Sequence, residues 1–250
     1  PIAACDSSRL GAPRVLLAVA AKKRASRSMF ITFEGPEGSG KSTQAAILVE
    51  RLRSAGREVV AVREPGGTPA GEKIRAILLG EGGPGASGAV SIDPRSDALL
   101  FNASRAQLVQ EVIRPALARG AWVVCDRFTD ATRAYQGGGR GVDRTFIESM
   151  ARVIHRDTEP DLTLLLDLPV ATGLERARRR RLAAGETVAD RFESESLEFF
   201  ARVRARYLEI AAAEPQRVRV LDATQSAAQV AAAAVAAVET LAAGDAPRSQ

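Results

Sequence analysis

The stretch Gly35-Pro36-Glu37-Gly38-Ser39-Gly40-Lys41-Ser42 decides the fold of this chain. It matches G-x-x-x-x-G-K-[S/T], the pattern of the phosphate-binding loop of nucleoside triphosphatases. The apolar and β-branched run Met29-Phe30-Ile31-Thr32-Phe33 comes directly before it, and helix-forming residues follow it from Thr43 to Leu52. A buried strand, a glycine loop and a helix are the context in which this motif binds phosphate. The sequence therefore predicts a nucleoside triphosphate site.

The residue types of this loop suit an anionic ligand. Glycines let the backbone turn its N–H groups into one concavity, and the N-terminus of the following helix adds partial positive charge. Lys41 supplies a mobile cation for the β- and γ-phosphates, and Ser42 offers a hydroxyl group to Mg²⁺. The alternative is a glycine-rich turn with a chance lysine, which leaves the flanking strand and helix unexplained. We expect the triphosphate to contact nine consecutive residues, namely Gly35, Pro36, Glu37, Gly38, Ser39, Gly40, Lys41, Ser42 and Thr43.

Strands alternate with helical segments along the rest of the chain. Apolar runs at residues 58–63, 121–125, 161–166 and 217–221 indicate four more strands, the last with the alternation of an exposed edge. This order predicts one α/β domain with a five-stranded parallel sheet and helices on both faces. Ligands of such sheets bind beyond the carboxyl ends of the strands, where Arg63, Asp126, Arg127 and Asp167 also fall.

Helix signals are weaker than the strand signals. Residues 80–93 are rich in Gly, Pro and Ser and predict a loop, after which Asp93 or Asp97 caps a helix that runs toward Leu117. Pro115 indicates a distortion near the end of that helix. An Ala-rich segment at residues 227–241 predicts the last helix.

Composition restricts the class of protein. With 46% apolar residues in a chain of 250, one core of ordinary size is expected, and no apolar run reaches the roughly 20 residues of a membrane-spanning helix. The two cysteines, Cys5 and Cys125, are far apart, so we expect a reducing, cytoplasmic compartment with neither a disulfide framework nor a zinc site. The net charge of +5 lies entirely in residues 1–28, so the remainder is not expected to bind nucleic acid.

The chain ends look different from the domain between them. Residues 1–28 lack caps and regular periodicity, and we expect a disordered or foreign extension, with a transit peptide as the alternative. The domain itself is assigned to residues 29–243, and residues 244–250 are expected to form a flexible tail.

Four further clusters bear on the type of reaction. Pro-Gly-Gly at residues 65–67 predicts a rigid turn after the second strand. Phe101 and Arg105 lie four apart on a predicted helix, where a ring can stack on a base beside a guanidinium. A core phenylalanine and a solvated arginine are the alternative, and spacing alone favours it.

The other two clusters follow the third strand. In Asp126-Arg127-Phe128 the carboxylate can orient Mg²⁺ and the guanidinium can bind a second phosphate. In the run 135–141, four glycines predict a flexible segment that allows close approach, and Gln136 can read a base edge as donor and acceptor. A surface loop is the alternative for this run.

Together these motifs resemble the thymidylate kinase family. The runs F-E-G-P-E-G-S-G-K-S-T, R-E-P-G-G-T, L-F-x-A-S-R, D-R-F, A-Y-Q-G-G-G-R-G and P-D-L-T-L-L-L-D occur in the family's order, over about residues 29–240. Their combination is far more specific than any one of them. The resemblance implies a P-loop kinase with a short lid that transfers a phosphoryl group from Mg²⁺·ATP to dTMP, giving dTDP and ADP. It also suggests a homodimer.

The resemblance assigns roles to particular residues. Phe101 looks like the aromatic residue that stacks on thymine, with Arg105, Gln136 and Thr132 at the edge of the base. Arg127 and Arg75 look like the pair that binds the 5′-phosphate of dTMP.

Three further roles follow from the same resemblance. Glu37 resembles the carboxylate near the sugar 3′-hydroxyl, and Tyr135 resembles the residue that crowds the 2′ position. Asp126 is the expected Mg²⁺-linked carboxylate, with Asp167 as the alternative.

The last assigned role belongs to an arginine-rich segment. Residues 175–181 contain five arginines, whereas the phosphate loop contains no basic residue before Lys41. A run of like charges is usually a solvated helix face. The bacterial-type subgroup of the resembled family supplies a catalytic charge from the lid, and Arg180 matches best, with Arg178 and Arg191 as alternatives.

Two other functions stay open from the sequence. A kinase for another small acceptor would share the phosphate loop but would not need Phe101, Arg105 and Gln136 together. A nucleotide-dependent switch or binding module would lack a second anion site, for which this chain has Arg75 and Arg127.

Overall fold

The structure is a computed structural model that describes residues 28–80, 91–155, 158–185, 191–192 and 194–244. Five strands form one sheet: β1 (Phe30–Glu34), β2 (Val59–Arg63), β3 (Trp122–Asp126), β4 (Leu162–Asp167) and β5 (Val218–Asp222). The first five α-helices are α1 (Lys41–Ser54), α2 (Pro69–Leu79), α3 (Pro94–Leu108), α4 (Arg114–Ala118) and α5 (Thr129–Thr132). The remaining α-helices are α6 (Arg144–Ile154), α7 (Val170–Ala183), α8 (Leu197–Ala213) and α9 (Ala227–Gly244).

The sheet is fully parallel, and its strand order is β2-β3-β1-β4-β5. All five strands predicted from the sequence are present, and β5 is the expected edge strand, with two exposed residues between buried ones. The chain moves from β1 to one side of the sheet and later to the other, so β1 lies at the centre. The loop after β1 therefore opens at the middle of the carboxyl edge, where ligands of such sheets bind.

The core lies on both faces of the sheet because the central strands are buried on both sides. On one face, Ile31 and Phe33 pack with apolar residues of α1 and α9. On the other face, Phe30 packs with Leu108 and Ile113, and Leu165 of β4 packs with the apolar side of α8. Such two-sided burial explains the uninterrupted apolar run before the phosphate loop.

The helix predictions were correct in outline. Asp93, not Asp97, caps α3, because its side chain accepts hydrogen bonds from the backbone N–H groups of Arg95 and Ser96. Between α3 and α4 the helix widens into a π-helical turn at Val109–Ile113, two residues before Pro115. This turn is the distortion that the proline predicts. Most of the predicted loop lies outside the described residues, since residues 81–90 are not described.

The glycine-rich run at 135–141 is not a loop. Residues Arg133–Gly139 form a second π-helical segment, in which Tyr135, Gln136 and Gly139 are buried. The expectation of a flexible segment was wrong, but the expectation of close approach was correct. A Cβ on Gly138 would lie 2.7 Å from Cβ of Arg206, and one on Gly139 would lie 2.4 Å from the ring of Phe199. The glycines are therefore needed for packing against α8.

The ends of the chain remain mostly outside the description. Residues 1–27 and 245–250 are not described, so nearly all of the predicted extension and tail lies outside the described residues. Ser28, the last residue of the predicted extension, precedes β1, and Gly244, the first residue of the predicted tail, is the last residue of α9. Among the described residues, no helix has both the length and the apolar character needed to cross a membrane.

Candidate functional site

A cavity of about 370 Å³ opens at the carboxyl edge of the sheet. Its walls combine the phosphate loop with segments that follow β2 and β3, with α3 and with α7. Most of the site residues expected from the sequence line it: Glu37, Gly38, Gly40, Lys41, Ser42, Thr43, Arg75, Phe101, Asp126, Arg127, Thr132, Tyr135, Gln136 and Arg180. The fold thus brings together residues that are more than 140 positions apart in sequence.

The phosphate loop is held against α7 by close backbone contact. Gly38 has a φ of +70°, and a Cβ there would lie 1.9 Å from the carbonyl oxygen of Gly173. A Cβ on Gly173 would in turn lie 2.3 Å from the carbonyl oxygen of Glu37. Because neither position has room for a side chain, the loop and the arginine-bearing helix form one packed unit.

The side chain of Lys41 is buried inside the phosphate loop. Its Nζ atom donates hydrogen bonds to the carbonyl oxygen of Pro36 at 2.9 Å and to Oγ of Ser39 at 3.2 Å. Burial, together with the charge of Arg127, lowers the pKa of Lys41 to about 8, against the opposing charges of Glu37 and Asp126. The ammonium group is therefore poorly solvated and well suited to a phosphate partner.

Ser42 and Asp126 bring two side-chain oxygen atoms together in the lining of the cavity. The hydroxyl of Ser42 donates to Oδ2 of Asp126 at 2.5 Å. Hydroxyl and carboxylate oxygens are the donors that Mg²⁺ prefers, and this cation commonly takes only one or two protein ligands beside phosphate and water. No group of three or more His, Cys, Asp or Glu side chains within the described ranges is arranged to hold a metal by itself. The donor set fits a metal shared with a nucleotide.

Asp167, the alternative metal carboxylate, has another partner. The guanidinium of Arg204 in α8 donates to both of its oxygens, at 2.7 and 2.9 Å. Asp167 is also absent from the cavity lining. The geometry thus favours Asp126 over Asp167 for the metal.

Arg127 adopts a strained backbone to reach the cavity. It is the one non-glycine residue with positive φ, +71°, in the part of the chain that the structure describes. Its guanidinium donates to the carbonyl oxygen of Gly35, to Oε2 of Glu37 and to the hydroxyl groups of Tyr135 and Tyr207, at 3.1 to 3.3 Å. Such backbone strain persists where many surrounding contacts hold the residue in one conformation, and it is common at functional sites.

Glu34 fixes the turn that carries Arg127. Its Oε1 atom accepts hydrogen bonds from the backbone N–H groups of Phe128 at 2.7 Å and Ala131 at 3.2 Å, and Oε2 accepts from the hydroxyl of Tyr207 at 2.7 Å. Burial raises the pKa of Glu34 to about 7, and the nearby charge of Asp130 adds to this shift. Glu34 was not predicted from the sequence, where its signal was a carboxylate at the end of an otherwise apolar strand.

Glu37 lies between two cationic groups that belong to different elements. Its carboxylate contacts Arg127 at 3.2 Å and Arg180 of α7 at 3.4 Å. Burial alone would raise the pKa of Glu37, but the charges of Lys41, Arg127 and Arg180 outweigh it and hold the pKa at about 2. Glu37 is therefore ionised and links Arg127 to the arginine-bearing helix.

The candidate lid arginines have different surroundings. Arg178 pairs with Glu175 on the exposed side of α7, whereas Arg180 lines the cavity. Arg191 lies against Asp97 and donates to the carbonyl oxygen of Leu78 at 3.0 Å. Half of the segment between Arg180 and Arg191 is outside the described residues, since 186–190 are not described. Geometry favours Arg180 among the three.

Three aromatic residues, Phe101, Tyr135 and Phe192, form part of the cavity wall. Phe101 of α3 packs edge-on against Phe192 with ring centroids 5.9 Å apart, and Phe192 also contacts Tyr135. Phe192 lines the cavity but was not predicted from the sequence. It follows Asp190-Arg191 directly, and an aromatic residue beside candidate lid charges was the available signal.

Arg105 does not lie on the cavity wall, contrary to the expectation that it shares an open face with Phe101. It is almost fully buried, at 1% exposure, and pairs with Glu64 at 2.7 Å. It also donates to the hydroxyl of Thr132 at 3.0 Å and to the carbonyl oxygen of Phe128 at 3.1 Å. The buried carboxylate of Glu64 draws the guanidinium inward. Contact with a base edge by Arg105 stays a prediction.

The fold and this site define a P-loop kinase, because a phosphate loop on a parallel sheet shares one cavity with a group of arginine and aromatic side chains. Comparison with known proteins specifies the class further. The family model for thymidylate kinase matches residues 33–234. The chain belongs to the thymidylate kinase family of nucleoside monophosphate kinases.

Individual relatives agree along most of their length. A thymidylate kinase of Pseudomonas fluorescens is 53% identical over 214 residues, which cover 85% of this chain and 96% of the relative. One from Afipia carboxidovorans is 51% identical, covering 84% of this chain and 89% of the relative. The crystal structure of thymidylate kinase from Ehrlichia chaffeensis superimposes with a TM-score of 0.65 at 32% identity, covering 84% of this chain and 98% of that one.

Proposed function

We propose that this protein transfers the γ-phosphoryl group of ATP to the 5′-phosphate of dTMP, giving dTDP and ADP for dTTP synthesis. The observation that carries the proposal is that one cavity is lined both by Lys41 and Ser42, which we call the donor side, and by Arg75, Arg127 and Phe101, which we call the acceptor side. A nucleotide switch needs only the first of these two sides. A kinase needs both, because donor and acceptor phosphates must meet.

On the donor side, we assign the triphosphate to Gly35–Thr43. The backbone N–H groups and the N-terminus of α1 face the phosphates, and Lys41 neutralises their charge. We assign Ser42 and Asp126 to Mg²⁺, which when bound supplies charge neutralisation on the phosphate oxygens. Arg180 reaches the same region from α7 and is our choice for the charge that develops on the transferred group.

On the acceptor side, we assign the 5′-phosphate of dTMP to Arg127 and Arg75. The hydrogen bonds that hold Arg127 leave its guanidinium facing the cavity, and Arg75 is anchored by the carbonyl oxygen of Pro65 at 3.1 Å. Phe101 stacks on the base in this assignment, with Gln136 and Thr132 at its edge, and Arg105 supports Thr132 from behind. Tyr135 crowds the 2′ position, and Glu37 lies near the 3′-hydroxyl.

The chemistry requires positioning more than acid–base catalysis. The attacking oxygen of dTMP is already anionic near neutral pH, so no strong general base is needed. Arg127 and Glu37 fix the acceptor relative to the phosphate loop, and the packed glycines keep Arg180 over the same point. Catalysis then rests on alignment and on neutralised charge.

Two further proposals concern the whole molecule. We assign it to the cytoplasm, in keeping with a buried, unpaired Cys125. We also propose that it acts as a homodimer, and light scattering coupled to gel filtration tests this. A monomeric mass at micromolar concentration would contradict the dimer.

An acceptor panel tests the proposed activity. ADP release from Mg²⁺·ATP is measured with dTMP, dUMP, TMP, dCMP and dAMP, and the Lys41→Ala variant serves as the matched inactive control. We expect the highest kcat/KM for dTMP, with dUMP lower by only about 10- to 200-fold because it lacks one methyl group. Equal rates with and without every acceptor, or no saturable binding of dTMP in the absence of ATP, would exclude a kinase for this nucleotide.

A further inference from the structure

A buried carboxylate stands directly behind the base-facing wall of the cavity. Asp97 of α3 has no exposed surface, and it is not a cavity residue. Its Oδ2 atom accepts a hydrogen bond from Nε2 of Gln136 at 2.8 Å. Gln136 itself lines the cavity. Asp97 is therefore one hydrogen bond away from any ligand that Gln136 contacts.

Two guanidinium groups hold this carboxylate in place. Arg191 contacts Oδ1 of Asp97, and Nε of Arg140 lies 3.6 Å from Oδ2. Arg140 also pairs with Glu195 at 2.7 Å, and both guanidinium groups lie over the ring of Phe192, at 5.6 and 4.8 Å. Asp97 thus connects α3 both to the second π-helical segment (Arg133–Gly139) and to Arg191, which follows the arginine-bearing helix.

The orientation of the Gln136 amide follows from this arrangement. An ionised carboxylate only accepts hydrogen bonds, so the amide group that faces Asp97 has to be the NH₂ group. The reverse orientation would place two acceptor oxygens next to each other, with no proton between them, in a buried site. Nε2 keeps a second N–H, and Oε1 is then the acceptor atom of Gln136 that remains for the cavity.

We propose that Asp97 is a positioning residue for base selection: it fixes the Gln136 amide so that its oxygen faces the base and accepts a hydrogen bond from a protonated ring nitrogen. This inference rests on the proposed function, because it takes Gln136 as a residue at the base edge. Thymine and uracil carry a proton on N3, whereas N3 of cytosine is itself an acceptor. The fixed oxygen therefore accepts the first two bases and opposes cytosine.

Discrimination against cytosine is expected to be strong because two buried acceptors, Oε1 of Gln136 and N3 of cytosine, would face each other without a proton between them. Sites that hydrogen-bond a substrate group reject analogues without that group far better than apolar pockets do. Asp97→Asn removes the constraint, because an amide can offer either an oxygen or an NH₂ group to Gln136. The glutamine can then rotate and offer its own NH₂ group to N3 of cytosine.

The test compares kcat/KM for dTMP and dCMP in the parent and in Asp97→Asn, Gln136→Met and the double variant. Asp93→Asn is the matched control, because Asp93 caps the same helix without contacting Gln136. We expect Asp97→Asn to lower the dTMP-to-dCMP ratio by about tenfold or more. The same substitution should leave the ratio unchanged in the Gln136→Met background, and the control should keep the parent ratio.

The outcomes separate a positioning role from a structural one. If Asp97→Asn lowers kcat/KM equally for both nucleotides, or lowers only the melting temperature, Asp97 supports the fold alone and the inference is wrong. If Asp97→Asn does not fold, Gln136→Met decides: an unchanged ratio there means that Gln136 does not read the base, which also overturns it. Absence of dTMP turnover in the parent enzyme would instead overturn the proposed function itself.

Discussion

Gly173→Ala tests whether contact between the phosphate loop and α7 positions the catalytic groups. The new Cβ would lie 2.3 Å from the carbonyl oxygen of Glu37. An ordinary contact between carbon and oxygen is about 1 Å longer, so the loop or the helix has to move by about that distance. Gly173 has no positive φ, so alanine introduces no backbone strain of its own.

The effects on stability and on activity should differ sharply. Overpacking costs about 1–3 kcal/mol, but alanine favours a helix over glycine by about 1 kcal/mol, which leaves a net loss of about 0–2 kcal/mol in the free energy of unfolding. A displacement of about 1 Å in a phosphoryl-transfer site can lower the rate about 10²-fold. We expect a large loss of kcat in an enzyme that is almost as stable as the parent.

The assay pairs initial rates of ADP release, at saturating ATP and dTMP, with urea unfolding. Gly56→Ala is the control, because Gly56 has a φ of +77° and its Cβ would meet no atom within 4 Å. That variant carries backbone strain of about 1–2 kcal/mol and should lose stability while keeping its rate. If Gly173→Ala retains kcat within about threefold of the parent, the contact does not position the site and the reasoning fails.

Substitutions at three further positions, with Arg178→Ala as a control, test individual charges. Lys41→Ala should abolish phosphoryl transfer while circular dichroism shows an intact fold, and turnover near the parent rate would remove Lys41 from the mechanism. Arg180→Ala should lower kcat far more than it raises KM for dTMP, whereas Arg178→Ala should do neither; an unchanged kcat in the first variant would move the role to another arginine. Glu37 has a pKa held at about 2, so its contribution to stability is complete above about pH 4.5 and is lost as the pH falls toward 2. The unfolding free energy of the parent should therefore fall between pH 5 and 3 by about 2 kcal/mol more than that of Glu37→Gln, and the same pH dependence of urea unfolding in the two proteins would contradict this.

Local sequence signals were sufficient for the strands and for the position of the phosphate loop between β1 and α1. Each strand is an apolar run bounded by turn residues, and the phosphate loop is a contiguous motif whose ligand groups are mostly its own backbone. The helical boundaries were harder to predict. Asp93 and Asp97 both suit a cap, and only packing decides that Asp97 turns inward toward Arg191 and Gln136.

The acceptor side shows where sequence reasoning fails. The glycines at 137–139 suggest freedom in the chain, yet contact with α8 holds them in a buried helical segment. Arg105 suggests an exposed cation, yet Glu64, 41 positions earlier, pairs with it inside the protein. Glu34, Phe192 and Asp97 were missed because each acts through partners that are distant in sequence.

The sequence by itself determined the parallel sheet, the phosphate loop and the residue types of a nucleotide kinase, because these depend on short-range patterns of apolar residues, glycine and charge. The tertiary structure decided which charges meet: Glu37 with Arg127 and Arg180, Glu64 with Arg105, and Asp97 with Gln136. Burial makes these pairings selective, since an ionised group removed from water has to find a partner, and the partner is fixed by the packing of remote elements.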